Sequence, residues 1–197
     1  VIGATPVAGK LGNVVFTNVA SFPGEVYAVN PKYQEILGKP CFPSVLDLPK
    51  PVDLAVVVIP AEGVSQALLE CGKKGIKNAV VITAGFKECG PEGAKREKEL
   101  VQIAEEYGLN VLGPNVLGLI STRVGLNATF APKGALPGSI AFMSQSGAFC
   151  TSVLDWAWKE KLGFSHFVSL GNKAVLDESD FLLAFAEDPE TKVIVAY

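Results

Sequence analysis

The chain of 197 residues has one histidine, one methionine, four cysteines and no excess of basic charge. Cys41, Cys71, Cys89 and Cys150 are far apart, with no Cys-x-x-Cys pair and no neighbouring histidine. That spacing suggests neither a zinc site nor a dense disulfide framework, and reduced thiols in the cytoplasm are the expectation. Seventeen Lys and Arg against twenty Asp and Glu leave a formal charge of −3. Nothing there would hold a nucleic-acid backbone by counterion release. The longest apolar run, residues 54–61, has eight residues and includes a proline, whereas a membrane span needs about 20. What the chain does have is 49% hydrophobic residues, enough for a real core in one large or two small domains and incompatible with disorder.

Short apolar runs rich in β-branched residues alternate with helical patterns. The runs are 25–29, 53–59, 78–83, 110–112, 139–143, 165–169 and 192–197. Runs apolar on consecutive residues suit strands buried on both faces, as in parallel sheets covered by helices. The class expected is α/β. Helical stretches fall at 9–20, 61–74, 92–107, 147–161 and 177–187. In 92–107, Leu100, Ile103, Ala104 and Tyr107 form a buried stripe, and the charges from Lys95 to Glu99 read as a solvated face. Residues 113–137 carry four Gly, three Pro and no helical period, so they read as a connection leaving one sheet for another. The divisions expected are 1–125 and 136–197, the second with three strands. Both chain ends fall in strand-like sequence, so a longer protein is expected around this one, with the second domain truncated. A sheet left open in this way would expose apolar edges and favour association into an oligomer.

The chemistry-bearing residues sit in turns at strand ends. Gly3 to Gly12 forms a glycine-rich turn that opens a helix, where free amides and the helix dipole favour a phosphate. It is not a Walker A loop, since five residues separate Gly3 from Gly9-Lys10 and Leu11 follows. It is not G-x-G-x-x-G either, because Thr5 takes the second glycine's place. After the next strand comes Asn30-Pro31-Lys32, where an NAD site would carry a carboxylate for the ribose hydroxyl. An ammonium group there suits a phosphorylated ribose instead, and NADP and coenzyme A both fit. Ile59-Pro60 and Thr83-Ala84-Gly85-Phe86 end later strands and should line the same crevice, with Phe86 offering an apolar surface. Further on, Ser144-Gln145-Ser146-Gly147 forms a second anion-type turn at a helix start, and Gly171-Asn172-Lys173 a third polar turn. A nucleophilic Ser146 lacks the flanking glycines of a hydrolase elbow. His166 lies in a strand-like stretch where a packed, hydrogen-bonded histidine is the expectation.

In order along the chain, Ile2-Gly3-Ala4-Thr5, Gly9-Lys10-Leu11-Gly12, Val29-Asn30-Pro31-Lys32, Val52-Asp53-Leu54-Ala55, Thr83-Ala84-Gly85-Phe86, Gly113-Pro114-Asn115, Ser144-Gln145-Ser146-Gly147 and Gly171-Asn172-Lys173 resemble the nucleoside-diphosphate-forming acyl-CoA synthetases. This family includes ADP-forming acetate–CoA ligase and is related to the succinyl-CoA ligase α subunit. The resemblance implies a CoA-binding Rossmann-type parallel sheet followed by a truncated flavodoxin-like ligase domain. It implies that Gly3, Thr5, Lys10, Asn30, Lys32, Pro60, Thr83, Gly85 and Phe86 line the CoA site, and that Asn115, Ser144, Gln145, Ser146 and Gly147 face thioester and phosphate. The family reaction converts acyl-CoA, ADP and phosphate to acid, CoA and ATP through an acyl phosphate and a phosphohistidine. His166 does not match the Gly-rich surroundings of that histidine, which the resemblance places beyond Tyr197, so no catalytic residue is assigned within the chain. The resemblance also implies an ATP-grasp portion, as a subunit or fused domain, that binds Mg-ADP or Mg-ATP. An alternative is an acyl-CoA-sensing module of a protein acetyltransferase fusion. An NADP-dependent oxidoreductase is disfavoured, since it leaves the Ser-Gln-Ser-Gly turn without a role.

Overall fold

The computed structural model describes residues Val1–Tyr197 and has the α/β architecture expected. The first sheet holds β1 (Ala28–Val29), β2 (Glu35–Ile36), β3 (Lys39–Phe42), β4 (Ala55–Val57), β5 (Asn78–Val81) and β6 (Asn110–Leu112). Ile2 pairs in parallel with Val29 on one side and Val57 on the other, which joins the two halves into one sheet. The order is then β2, β3, β1, Ile2, β4, β5, β6, parallel throughout except for β2. This is the doubly wound order, and its reversal point falls at Ile2, directly before the Gly3 turn.

Helix α1 (Leu11–Ala20) covers one face; α2 (Val64–Lys74) and α3 (Pro91–Tyr107) cover the other. Pro91 suits the first turn of α3 because its fixed φ is helical and its missing amide would have had no partner there. Leu100 and Ala104 are buried on the predicted stripe, with Ile103 and Tyr107 packed against the same core.

The segment expected as a bare connection contains an antiparallel hairpin, β7 (Gly118–Ser121) and β8 (Leu126–Thr129). It joins a second sheet with β9 (Leu136–Ser144), β10 (Gly163–Ser169) and β11 (Val193–Ala196), in the order β11, β9, β10, β7, β8. That sheet has five strands rather than three. The hairpin was hidden because each strand is four residues long and broken by polar or glycine positions, too short for a period to register.

Helix α4 (Gly147–Glu160) packs on the outer face of this sheet through Cys150, Leu154 and Ala157. On the inner side, Ala128, Ala141, Met143 and Val168 share one apolar cluster with Phe16 and Val19 of α1 and Val56 and Val80 of the first sheet. Asn18 of α1 also donates to the carbonyls of Thr129 and Ala131, at 2.9 and 3.0 Å. Helix α5 (Glu178–Glu187) adds Phe185 to the same cluster. The outer edge strand β11 is exposed along its length.

Candidate functional site

The Gly3 turn leaves the reversal point of the first sheet. Gly3 has φ +93°, and a Cβ there would lie 2.2 Å from the Val58 carbonyl oxygen, so no side chain fits. Gly3 thus lets the turn pack directly against the end of β4. Residues 6–11 beyond it are exposed. Lys10 caps α1 without a side-chain hydrogen bond, and no acidic residue occupies the first turn. The amides of Leu11 and Gly12 donate to no group of the protein, which leaves an open positive helix end. Thr5 lies beneath the turn, with its hydroxyl accepting from the Val7 amide at 3.3 Å.

Asn30 ties the exit of β1 to this turn. Its side-chain amide donates to the Ala4 carbonyl at 2.8 Å, and its Oδ1 accepts from the Lys32 amide at 3.0 Å. That local ring is the Asx geometry that Asn favours at turns. Lys32 is exposed at its rim. A cavity of about 230 Å³ lies here, lined by Gly3, Asn30, Pro31 and Ile59 together with Ser44, Gln66 and Glu70. Thr5, Lys10, Lys32, Pro60, Thr83 and Gly85 fall outside its lining.

Ser44 and Glu70 were not singled out from sequence. Ser44 donates to Glu70 Oε2 at 2.7 Å, and Gln66 donates to Oε1 at 3.0 Å. A signal for them exists: Ser44 caps a short 3-10 turn with Asp47 three residues on, and Gln66 and Glu70 are spaced i, i+4. A larger cavity, about 600 Å³ and mostly apolar, lies elsewhere, around Val1, Val26, Val52 and Leu54 at the amino ends of the strands. Ligands of open α/β sheets bind at the carboxyl ends, so its size does not make it the site.

Beyond the Gly3 turn the carboxyl ends of β4, β5 and β6 follow in order along the same edge of the sheet, where the crevice of an open α/β sheet lies. Thr83 donates its hydroxyl to the Ile59 carbonyl at 2.7 Å, and its carbonyl accepts from the Asn115 amide at 2.9 Å. Phe86 does not face this crevice. Its side chain is fully buried in the α2–α3 core, because an apolar ring beside a glycine gains more from the core than from a solvent-lined turn. Residues 85–86 therefore present only backbone surface here, with their amides and carbonyls taken by Glu88, Arg96 and Cys89.

Glu88 holds that backbone, with Oε1 accepting from the Gly85 amide at 2.6 Å and the Phe86 amide at 3.1 Å. Its Oε2 accepts from Asn172 Nδ2 at 2.6 Å. Burial pushes the Glu88 carboxyl up, but the hydrogen bonds from Asn172 and the two amides outweigh it and leave it below the ordinary glutamate value. Glu97, expected on a solvated face, is also buried here. It accepts from Asn172 Nδ2 at 2.8 Å and pairs with Lys87 Nζ at 3.0 Å. Helical periodicity left it exposed; the packing of the second domain against α3 turned it inward.

A second, polar cavity of about 360 Å³ is lined by Asn115, Gln145, Ser146, Gly171, Asn172 and Tyr197. It gathers turns from the ends of both sheets. A Cβ on Gly171 would lie 2.4 Å from the Pro114 carbonyl oxygen, so these two turns meet backbone to backbone. Ser146 caps α4 by accepting from the Phe149 amide at 3.3 Å, while Gly147 opens the helix with nothing near its Cα face. Ser144 is fully buried and accepts from the Ser146 amide at 3.1 Å, so it shapes the turn from beneath instead of facing the cavity. His166 is not brought here: its Nε2 lies 3.0 Å from Asp188 Oδ2, and its ring stacks on Phe185.

The family model described as a CoA binding domain matches residues 1–122, and that of the succinyl-CoA ligase like flavodoxin domain matches 137–197. The chain is 57% identical over 197 residues to acetate–CoA ligase [ADP-forming] I of Archaeoglobus fulgidus, covering all of this chain and 29% of that one. It is 46% identical over 198 residues to acetate–CoA ligase [ADP-forming] II subunit alpha of Pyrococcus furiosus, covering all of this chain and 43% of that subunit. Among solved structures, the dinucleotide forming acetyl-coenzyme A synthetase 1 of Ca. Korarchaeum cryptofilum, in complex with phosphate and ADP, superimposes with a TM-score of 0.96 at 45% identity. That match covers all of this chain and 42% of the other. The chain thus spans less than half the length of these relatives. They are ligases and synthetases, and the sensing-module alternative draws no support from them. The chain belongs to the CoA-binding-domain family, and its likeness over every residue is to ADP-forming acyl-CoA ligases.

Proposed function

We propose that these residues form the CoA-binding part of an ADP-forming acyl-CoA ligase, which converts acyl-CoA, ADP and phosphate to acid, CoA and ATP. The observation that carries the reading is the row of turns at the carboxyl ends of one sheet: the Gly3 turn with the open amino end of α1, then Thr83, then Asn115, which lines the polar cavity with Gln145 and Ser146. The Gly3 cradle and the free amides of Leu11 and Gly12 suit a pyrophosphate, and exposed Lys32 on its Asx turn suits a ribose phosphate. CoA supplies a thiol at the far end. Asn115, Gln145 and Ser146 orient acyl and phosphate groups there, and the open end of α4 stabilises the anion by about 0.3 to 1 kcal/mol or more.

The only histidine is held by Asp188 outside both cavities, so a histidine relay for phosphate is a task for other residues of the whole ligase. Its nucleotide would be bound by an ATP-grasp partner, subunit or fused domain, in an oligomer. Four free thiols accord with a cytoplasmic setting.

Titration calorimetry on the 197-residue chain with CoA, dephospho-CoA and NADP tests the reading. CoA should bind tightest, with dephospho-CoA weaker by about five- to tenfold for the lost phosphate contact. Equal affinity for CoA and dephospho-CoA removes the role given to Lys32, and tighter NADP removes the ligase reading.

A further inference from the structure

Glu88 ties the turn after β5 to the polar cavity at Asn172 through three hydrogen bonds. One carboxylate oxygen takes the amides of Gly85 and Phe86, at 2.6 and 3.1 Å, and the other takes Asn172 Nδ2, at 2.6 Å. Every donor in this set is neutral and every acceptor is on Glu88, so the site needs an acceptor on both oxygens. An ionised carboxylate meets that need; a carboxamide does not.

Both ends of the bridge are fixed further. The Gly85 carbonyl accepts from Arg96 Nη1 at 3.2 Å, and Arg96 Nη2 lies 3.2 Å from Glu62 Oε1. Asn172 donates its backbone amide to the Pro114 carbonyl at 2.9 Å, and its Oδ1 accepts from Asn115 Nδ2 at 3.4 Å. The bridge thus runs from the end of β5 to the residue that lines the ligase-domain cavity.

The order of strands says which part of a ligand meets it. Gly3 follows Ile2, and β5 and β6 lie two and three strands away, which is about 10 and 14 Å at the usual inter-strand spacing. A nucleotide with its phosphates on the Gly3 turn therefore reaches Gly85 and Asn115 only with its extended pantetheine arm.

We propose that Glu88 is a positioning residue for the thiol arm of CoA, fixing the 85–86 turn as a packing surface beside the arm while locking Asn172 and Asn115 at the cavity that receives the thiol. The proposal rests on the CoA reading above. Glu88 touches neither thiol nor acyl group; it acts through Gly85 and Asn172.

The test compares CoA with adenosine 3′,5′-bisphosphate, which keeps the nucleotide end and has no arm, by calorimetry on the full chain and its Glu88→Gln and Glu88→Asp variants. Glu88→Gln sets an NH₂ group against either Asn172 or the two amides. It should weaken CoA by about tenfold while changing the bisphosphate by less than about twofold. Glu88→Asp keeps the charge with a shorter reach and should recover part of the loss. It also carries the comparison if thermal melts show Glu88→Gln unfolded. Parallel losses for both ligands would mark a structural role only and overturn the proposal, as would unchanged CoA affinity in the variants. If the unaltered chain binds no CoA, the CoA reading itself falls and the proposal with it; normal CoA binding with insensitive variants removes only the role of Glu88.

Discussion

Lys32 owes its place to Asn30, whose side chain binds the Lys32 amide on one side and the Ala4 carbonyl on the other. The Lys32 backbone is thereby fixed on a corner beside the Gly3 turn. Lys32→Ala should reduce CoA affinity to that of dephospho-CoA and leave dephospho-CoA itself unchanged, with the difference shrinking as salt screens the exposed charge. A variant that still discriminates the two ligands in calorimetry would assign the phosphate to another group. The Asn30-Pro31-Lys32 turn was legible because the geometry of a turn is written in adjacent residues. Phe86 and Ser144 were not: each sits in a turn of the right composition, yet each side chain is buried, and only packing decides which way a side chain leaves a turn. Glu97, inside α3, was misread because its partner Asn172 lies 75 residues away in sequence.

Helices and strands carry the site as supports, and their ends are where they can be undone. The α5–β11 connection is held by Asp188, which lies against Arg123 from the β7–β8 turn at 2.8 Å, His166 of β10 at 3.0 Å and Thr191 at 2.8 Å. The Thr191 hydroxyl, with the Glu190 amide and His166, holds the Asp188 carboxyl below the ordinary aspartate value despite its desolvation. A carboxyl with a lowered folded pKa contributes stability that is complete above the unfolded value and is lost as pH falls through the folded one. The window is therefore below about pH 4. Urea unfolding midpoints measured from about pH 6 down to pH 3 should fall more steeply for the unaltered chain than for Asp188→Asn. Superimposable acid limbs would show that Asp188 does not staple this connection. The five long helices and most strands followed from periodicity, whereas the β7–β8 hairpin did not, since it is stabilised by pairing with β10, a partner remote in sequence.

Across the whole molecule the two sheets share one apolar cluster and close over their thiols. Burial pushes Cys71 up to about 12 and Cys150 up to about 11, and raises Cys41, while Cys89 is exposed near the crevice. A thiol-disulfide reagent should therefore titrate one thiol quickly in the native chain and all four after unfolding. More than one fast thiol would mean that the cores open readily or pack less tightly than described.

The α/β class, the order of turns and the resemblance to acyl-CoA synthetases were determined by sequence alone, because burial of short segments imposes a local period and turn geometry imposes local composition. Which turns meet was decided by tertiary structure. Ile2 between β1 and β4 sets Gly3 at the reversal of the sheet, and Lys87 reaches the Asn172 carbonyl across 85 residues of sequence at 2.6 Å. Contacts at that separation depend on strand order and on the packing of one sheet against another, and no local pattern records them.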